Sequence, residues 1–320
     1  MRILFFGDGP WAQKSLEYLI NLSGVTICGV VLRYDNPDFL LKKIAEKNSI
    51  SVYIEKNVNC NNFLNFCKNL AFDLGVSMSF NQIIKSKLRE IPQNGFINCH
   101  AGKLPNYRGR NIINWALIND EKEIGVTAHY IDDSIDTGAI ITQSSITISE
   151  SDNYRTLLFK ATDKCAEVLI RAVQKIKDGN VAAKKQSHIN GSYFSYRREG
   201  DELIDWNWSS RRIHNFIRAL VAPAPGAQTF LRQKKIYIWK SEETDFPNYI
   251  STPGEVIRKD KDGIIVKTGD NAIKINLISY GEEEDKVVPG ISVGQRLGIN
   301  LYQKIIELEN SIRQLTKNNG

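Results

Sequence analysis

The chain is predicted to be an α/β protein, a doubly wound and mostly parallel sheet followed by a small β domain. Three observations predict this. Apolar strand-like runs alternate with amphipathic helical segments through the first 180 residues, and the connections between them are short. Past residue 190 the rhythm changes to short strand-like runs separated by turns, the pattern of a small barrel or meander.

Residues 2–7 are an apolar run closed by Gly7-Asp8-Gly9-Pro10 and read as the first strand. A helix is expected over 11–22, with Leu16, Leu19 and Ile20 on one face, then a strand over 25–32. The pattern continues with a helix over 38–48, a strand over 52–54, a helix over 61–69 and a strand over 74–79. The glycine pair after the first strand is common in such sheets and is only a weak sign of a dinucleotide site. A strand over 95–100 carries Asn98 and His100, and a short helix is expected over 110–119. Extended runs over 126–131 and 140–148 flank the turn Asp132-Asp133-Ser134-Ile135-Asp136-Thr137-Gly138. A long amphipathic helix over 153–177 stops at Asp178-Gly179, a C-terminal glycine signal.

The expected organisation is a catalytic domain over 1–180, a polar linker over 181–190 and a second domain over 191–320. In the second domain a helix is expected over 209–220, with Ile213, Phe216, Ile217 and Leu220 at helical spacing. Strands follow over 228–231, 236–239, 254–258, 264–268 and 272–277. A terminal helix over 301–315 bears an apolar stripe of Ile305, Ile306, Leu308, Ile312 and Leu315. That stripe suits a homodimer or packing on the helix's own domain.

A length of 320 residues at 42% hydrophobic content supports two cores and argues against disorder. No apolar run reaches the eighteen residues of a membrane span, and the N-terminal run is too short for a signal peptide, so a cytoplasmic protein is expected. The five cysteines are odd in number and lack metal-ligand spacing, so free thiols and no metal are expected. The net charge is +6, yet the chain from Ser187 onward carries 19 Lys+Arg against 17 Asp+Glu, a weak basic excess for a nucleic-acid-binding domain.

Three segments carry chemistry. Alternation along a strand puts Asn98 and His100 on one face and Cys99 on the other. Acyl transfer to an amine uses both kinds of group: an amide donor for the developing oxyanion and an imidazole to take the amine proton. On this pair alone, a strand-end histidine satisfied by its neighbours is the simpler reading. Asp136 in its turn could orient His100 as a carboxylate does in a triad, although an acidic turn can also be merely solvated. The loop Lys103-Leu104-Pro105-Asn106-Tyr107-Arg108-Gly109-Arg110 is basic and suits phosphate or carboxylate recognition, or scattered solvated charge.

Together, Asn98-Cys99-His100-Ala101, Leu104-Pro105-Asn106-Tyr107-Arg108-Gly109 and Asp136-Thr137-Gly138 resemble the folate-dependent formyltransferases. That family includes methionyl-tRNA, glycinamide ribonucleotide and nucleotide-sugar formyltransferases. Trp115-Ala116-Leu117, Gly125-Val126-Thr127, Ile204-Asp205-Trp206 and Pro225-Gly226-Ala227 extend the resemblance over nearly the whole chain. It implies a Rossmann-like catalytic domain and an OB-like barrel. It implies Asn98 at the oxyanion, His100 as base and Asp136 as its orienter. The formyl donor would be 10-formyltetrahydrofolate, held by Phe80, Ile83, Ile84, Asp132 and Ile135. Among the family's acceptors, the missing basic insertion at 32–38, the near-neutral second domain and Lys103 point to a nucleotide-linked amino sugar of the dTDP or UDP kind, serving surface polysaccharide. Lys103, Arg108 and Arg110, with Gly9 and Trp11, would then contact the sugar nucleotide, and nucleic acid would not be a partner. The alternative is methionyl-tRNA. A non-catalytic binding protein is the reading of another class, and an intact Asn98, His100 and Asp136 set argues against it.

Overall fold

The computed structural model describes residues 1–187, 191–247, 249, 251–299 and 301–318. It divides the chain into two compact units. The first comprises residues 1–116, 121–151 and 156–196, and the second takes in 117–120, 152–155 and the chain from Arg197 on.

The first unit runs β1 (Arg2–Gly7), α1 (Gly9–Ile20), β2 (Thr26–Leu32), α2 (Phe39–Lys47), β3 (Val52–Ile54), α3 (Asn61–Leu70), β4 (Leu74–Met78) and α4 (Ser86–Arg89). It continues with β5 (Phe96–His100), β6 (Arg108–Gly109), α5 (Ile112–Ile118), β7 (Glu123–Tyr130), β8 (Ile140–Thr147), α6 (Tyr154–Lys177) and β9 (Tyr193–Phe194), with the end of α5 assigned to the second unit. Seven strands form one sheet in the order β3-β2-β1-β4-β5-β7-β8. The first five are parallel, and β7 and β8 are antiparallel additions beside β5. Both faces are covered, as near-continuous apolar strands require. Ile97 and Cys99 point into the core shared with α1 and α6, which contributes Cys165, Val168, Leu169 and Val173. Phe96 points into the opposite core with Phe6, Phe63 and Phe72. Asn98 and His100 therefore emerge on the face opposite α6. Asp38 caps α2 by accepting from the Leu40 and Leu41 amides, which accounts for the helix starting at Phe39.

The second unit contains α7 (Ser210–Ala219), β10 (Ala227–Leu231), β11 (Lys234–Glu243), β12 (Val256–Asp260), β13 (Gly263–Lys267), β14 (Ala272–Ser279) and α8 (Leu301–Asn318). Its antiparallel sheet runs β10-β11-β14-β13-β12. Ser209 caps α7 through the Arg212 amide. Phe216, Ile217 and Leu220 of this segment pack with Trp206, Ile238, Ile264 and Ile275 in one core. Single bridges from Leu203 to Gln228 and from Glu255 to Arg296 cover the sheet edges, which limits edge pairing.

Several elements differ from expectation. β11 extends over Lys234–Glu243, beyond the expected 236–239, because its ends are exposed charged residues and hydropathy sees only the middle. α5 begins at Ile112, two residues later than its pattern suggests, after Asn111 in a left-handed conformation. Residues 181–187, expected in a linker, are pinned to the first unit: Lys184 bridges Ile140 and Gln186 is buried. Residues 188–190 lie outside the described ones. No helix among the described residues is long and apolar enough to cross a membrane.

Candidate active site

Strand register assembles the site. β5 pairs with β7 so that Asn98 stands opposite His129 and His100 opposite Thr127. The Asn98 amide nitrogen lies 3.3 Å from His129 Nε2. His129 Nδ1 is 2.8 Å from the Tyr130 carbonyl, which only accepts, so Nδ1 carries a proton, while Nε2 faces both Asn98 and Asp136. Asp136 reaches both rings, with Oδ2 3.6 Å from His100 Nδ1 and Oδ1 3.5 Å from His129 Nε2.

The Asp136 turn is held from several sides. Asp132 accepts from Thr137 Oγ1 at 2.5 Å and from the Ser134 amide at 3.3 Å. Gln186 Nε2 donates to the Asp136 and Gly138 carbonyls at 2.9 and 2.7 Å. Asp136 itself has a left-handed φ of 56°. A Cβ on Gly138 would stand 1.8 Å from the Tyr130 carbonyl oxygen, so this turn closes only on glycine. Burial pushes the Asp136 carboxyl up, but the His100 and His129 rings and the Gly109 amide, 2.9 Å away, more than offset this. The net effect holds its pKa well below the usual carboxylate range.

The loop after His100 folds back over it. His100 Nε2 is 2.6 Å from the Tyr107 carbonyl and must donate to it. Tyr107 has φ 57°, its ring stacks on Phe194 at 4.9 Å, and its amide donates to Ser192 Oγ. Arg108 and Gly109 pair with Tyr193 and Phe194 as the β6–β9 ladder. From below, Thr127 Oγ1 donates to the Gly102 carbonyl and Gln143 to the Leu104 carbonyl.

The structure brings Asn98, His100 and Asp136 together and scatters several other expected contacts. Arg108, expected on the acceptor, is 1% exposed, with Nη2 2.8 Å from Gln186 Oε1 and its guanidinium over the Tyr193 ring. It braces the loop. Arg108→Ala should therefore lower unfolding free energy by about 2–3 kcal/mol in a denaturant titration. An unchanged midpoint would count against the bracing role. Lys103 is ion-paired to Glu123, whose carboxyl is lowered by that contact. Arg110 lies 4.0 Å above the Tyr196 ring. The Gly9 amide is taken by Asp38 at 2.8 Å, and Trp11 packs partly into the core. Of the expected folate contacts, Ile84 is buried and the Phe80 ring meets Phe6, while Ile83 and Ile135 are 68% and 59% exposed. Sequence reasoning missed His129 and Gln186. The alternation of Thr127 and His129 within an apolar run was the available signal for the former. Among the described residues no group of three His, Cys, Asp or Glu side chains is placed to hold a metal.

An amide, two imidazoles and an ionised carboxylate at the end of a doubly wound sheet have the makings of an acyl-transfer site, and the chain belongs to the formyl transferase family. Residues 1–173 match the family's formyl transferase domain and residues 198–286 its C-terminal domain. The chain is an enzyme of formyl transfer. Methionyl-tRNA formyltransferase of Caldanaerobacter subterraneus subsp. tengcongensis is 36% identical over 285 residues, covering 86% of this chain and 91% of that relative. The enzyme of the same name from Halothermothrix orenii is 34% identical over 318 residues, covering 93% and 100%. The solved N-formyltransferase of Helicobacter canadensis, in complex with folinic acid and dTDP-3-aminofucose, has a TM-score of 0.61 at 24% identity, covering 85% of this chain and 98% of that one. That likeness is one of fold.

These findings overturn the expectation of a nucleotide-linked amino sugar. Relatives 31–36% identical over most of the chain are methionyl-tRNA formyltransferases, and the sugar enzyme is a structural neighbour only. The cues for a sugar were weak in physical terms. Lys103 is neutralised by Glu123, and the net charge of a domain says nothing about where its cations lie.

Proposed function

We propose that the protein transfers a formyl group from 10-formyltetrahydrofolate to the amino group of methionyl-tRNA. The observation that carries the acceptor is its 31–36% identity to methionyl-tRNA formyltransferases over 86–93% of its length. A nucleic-acid partner follows from that reading.

The folate supplies the formyl carbon as electrophile. Apolar surface that fits such a group is offered by the exposed Ile135 of the Asp132–Asp136 turn and by the exposed Ile83. Asn98 donates its amide to the oxygen that gains charge as the amine attacks. Once the amine displaces the Tyr107 carbonyl, the tautomer with the proton on Nδ1 leaves Nε2 of His100 free to take the amine proton, and the imidazolium returns a proton to the folate nitrogen as its bond to the formyl carbon breaks. Asp136, kept ionised, favours the tautomer with the proton on Nδ1 and stabilises the imidazolium that results. His129 positions Asn98 from the other side of the carboxylate.

The test is competition between charged initiator tRNA and a set of dTDP- and UDP-linked amino sugars for the formyl group. The kcat/KM for methionyl-tRNA should exceed that for any sugar by on the order of 1,000-fold. Formylation of a sugar with methionyl-tRNA left untouched would sink the reading.

A further inference from the structure

The catalytic unit does not account for α8. A helix of 18 residues in water gains little from its own hydrogen bonds and normally relies on packing of an apolar face. Here that face is uncovered: Leu301, Ile305, Leu308, Ile312 and Leu315 are between 52% and 68% exposed. The side of α8 nearest its own sheet is polar instead. Gln233 donates to Glu307 at 3.2 Å and accepts from Lys304 at 3.3 Å.

The five apolar residues are spaced 4, 3, 4 and 3 apart, which makes one continuous seam of a heptad repeat. Ile305 and Ile312 fall at its a positions, and Leu301, Leu308 and Leu315 at its d positions. β-Branched residues at a with leucine at d favour two parallel strands. The flanking charges agree. Lys304 lies at g and Glu309 at e of the following heptad, so in a parallel pair each lysine, bonded to Gln233 and paired with Glu307 in the single chain, comes within reach of the glutamate of the other chain. In an antiparallel pair g meets g and e meets e, which sets lysine against lysine and glutamate against glutamate.

We propose that α8 pairs with α8 of a second copy of this chain as a parallel two-stranded coiled coil over Leu301–Leu315, making the protein a homodimer. The seam has five core layers, so association is weak and concentration-dependent. The inference is independent of which amine the enzyme formylates. Ile306 occupies a b position, outside the seam, although it is 54% exposed. It serves as the internal control.

The experiment is sedimentation equilibrium of the full chain across roughly 1–500 μM. The mass should rise from the 36.3 kDa of one chain to twice that. Ile305→Asp combined with Ile312→Asp should raise the dissociation constant ~100-fold or more with the melting temperature of the two units unchanged. Ile306→Asp should leave dimerisation intact. Under mild oxidation a Leu315→Cys chain should crosslink to its own copy beyond the level of the unmodified chain, since facing d positions lie within disulfide reach. A single-chain mass across the range overturns the proposal. So does equal disruption by Ile306→Asp, which would mark a generally adhesive surface. A double variant that melts earlier without a change in mass places the seam on its own domain, and a dimer that resists crosslinking at residue 315 is not parallel. Either result also overturns it.

Discussion

His100→Asn should leave the fold intact and reduce turnover by ~100- to 10,000-fold, the range a lost general base removes. Asparagine is smaller and its amide stops short of the Nε2 position, but the loop keeps its fastening to Ser192, Tyr193 and Phe194 without the bond to the Tyr107 carbonyl. What it cannot do is accept a proton from an amine near neutral pH. The measurement is single-turnover formyl transfer at saturating donor, with far-UV dichroism and thermal melting as controls. A variant that retains more than half of the wild-type rate with an unchanged melt would remove His100 from the chemistry.

Asp136→Asn should also reduce turnover, by on the order of 100-fold or more, because an amide cannot stabilise an imidazolium as a carboxylate does. It should leave a second mark in the pH dependence of stability. The Asp136 carboxyl is held below its unfolded value by His100, His129 and the Gly109 amide against the cost of burial. A depressed carboxylate contributes stability that is fully present above its unfolded pKa of about 4 and is lost as pH falls toward the folded value. The melting-temperature difference between wild type and Asp136→Asn should therefore be constant between about pH 5 and 7 and shift against the wild type below about pH 4. A difference that does not change down to about pH 3 would mean that the carboxylate is not favoured by its surroundings.

The parts of the fold legible in the sequence were those with a strong period or a buried run. β1, β2 and β4 are apolar nearly throughout because helices cover both faces of the sheet, and α6 repeats its apolar residues at helical spacing. α4 is a single turn, too short for any period to register, and β6 and β9 are two residues each. Within the site, Asn98 and His100 could be placed on one face because alternation is local. His129 could not be placed, since its position opposite Asn98 depends on strand register, which no single segment encodes. Gln186 was hidden for a different reason. A buried polar side chain that satisfies carbonyl groups looks, in sequence, like any polar residue of a connecting segment. The Tyr107 carbonyl belongs to the backbone and has no sequence signature at all.

The β6–β9 ladder bears on how such a chain could be shuffled among relatives. The loop that covers His100 is fastened by residues that come some eighty positions later, at Ser192, Tyr193 and Phe194. Phe194 also stacks on Tyr107, and its carbonyl receives the Arg110 amide. A gene fusion that exchanges everything after the long helix α6 would thus carry away the loop's fastening along with the second unit. A crossover after Tyr196 keeps loop and fastening from the same parent. The fastening lies just beyond the polar stretch 181–190, which looks, from the sequence alone, like the safest place to cut.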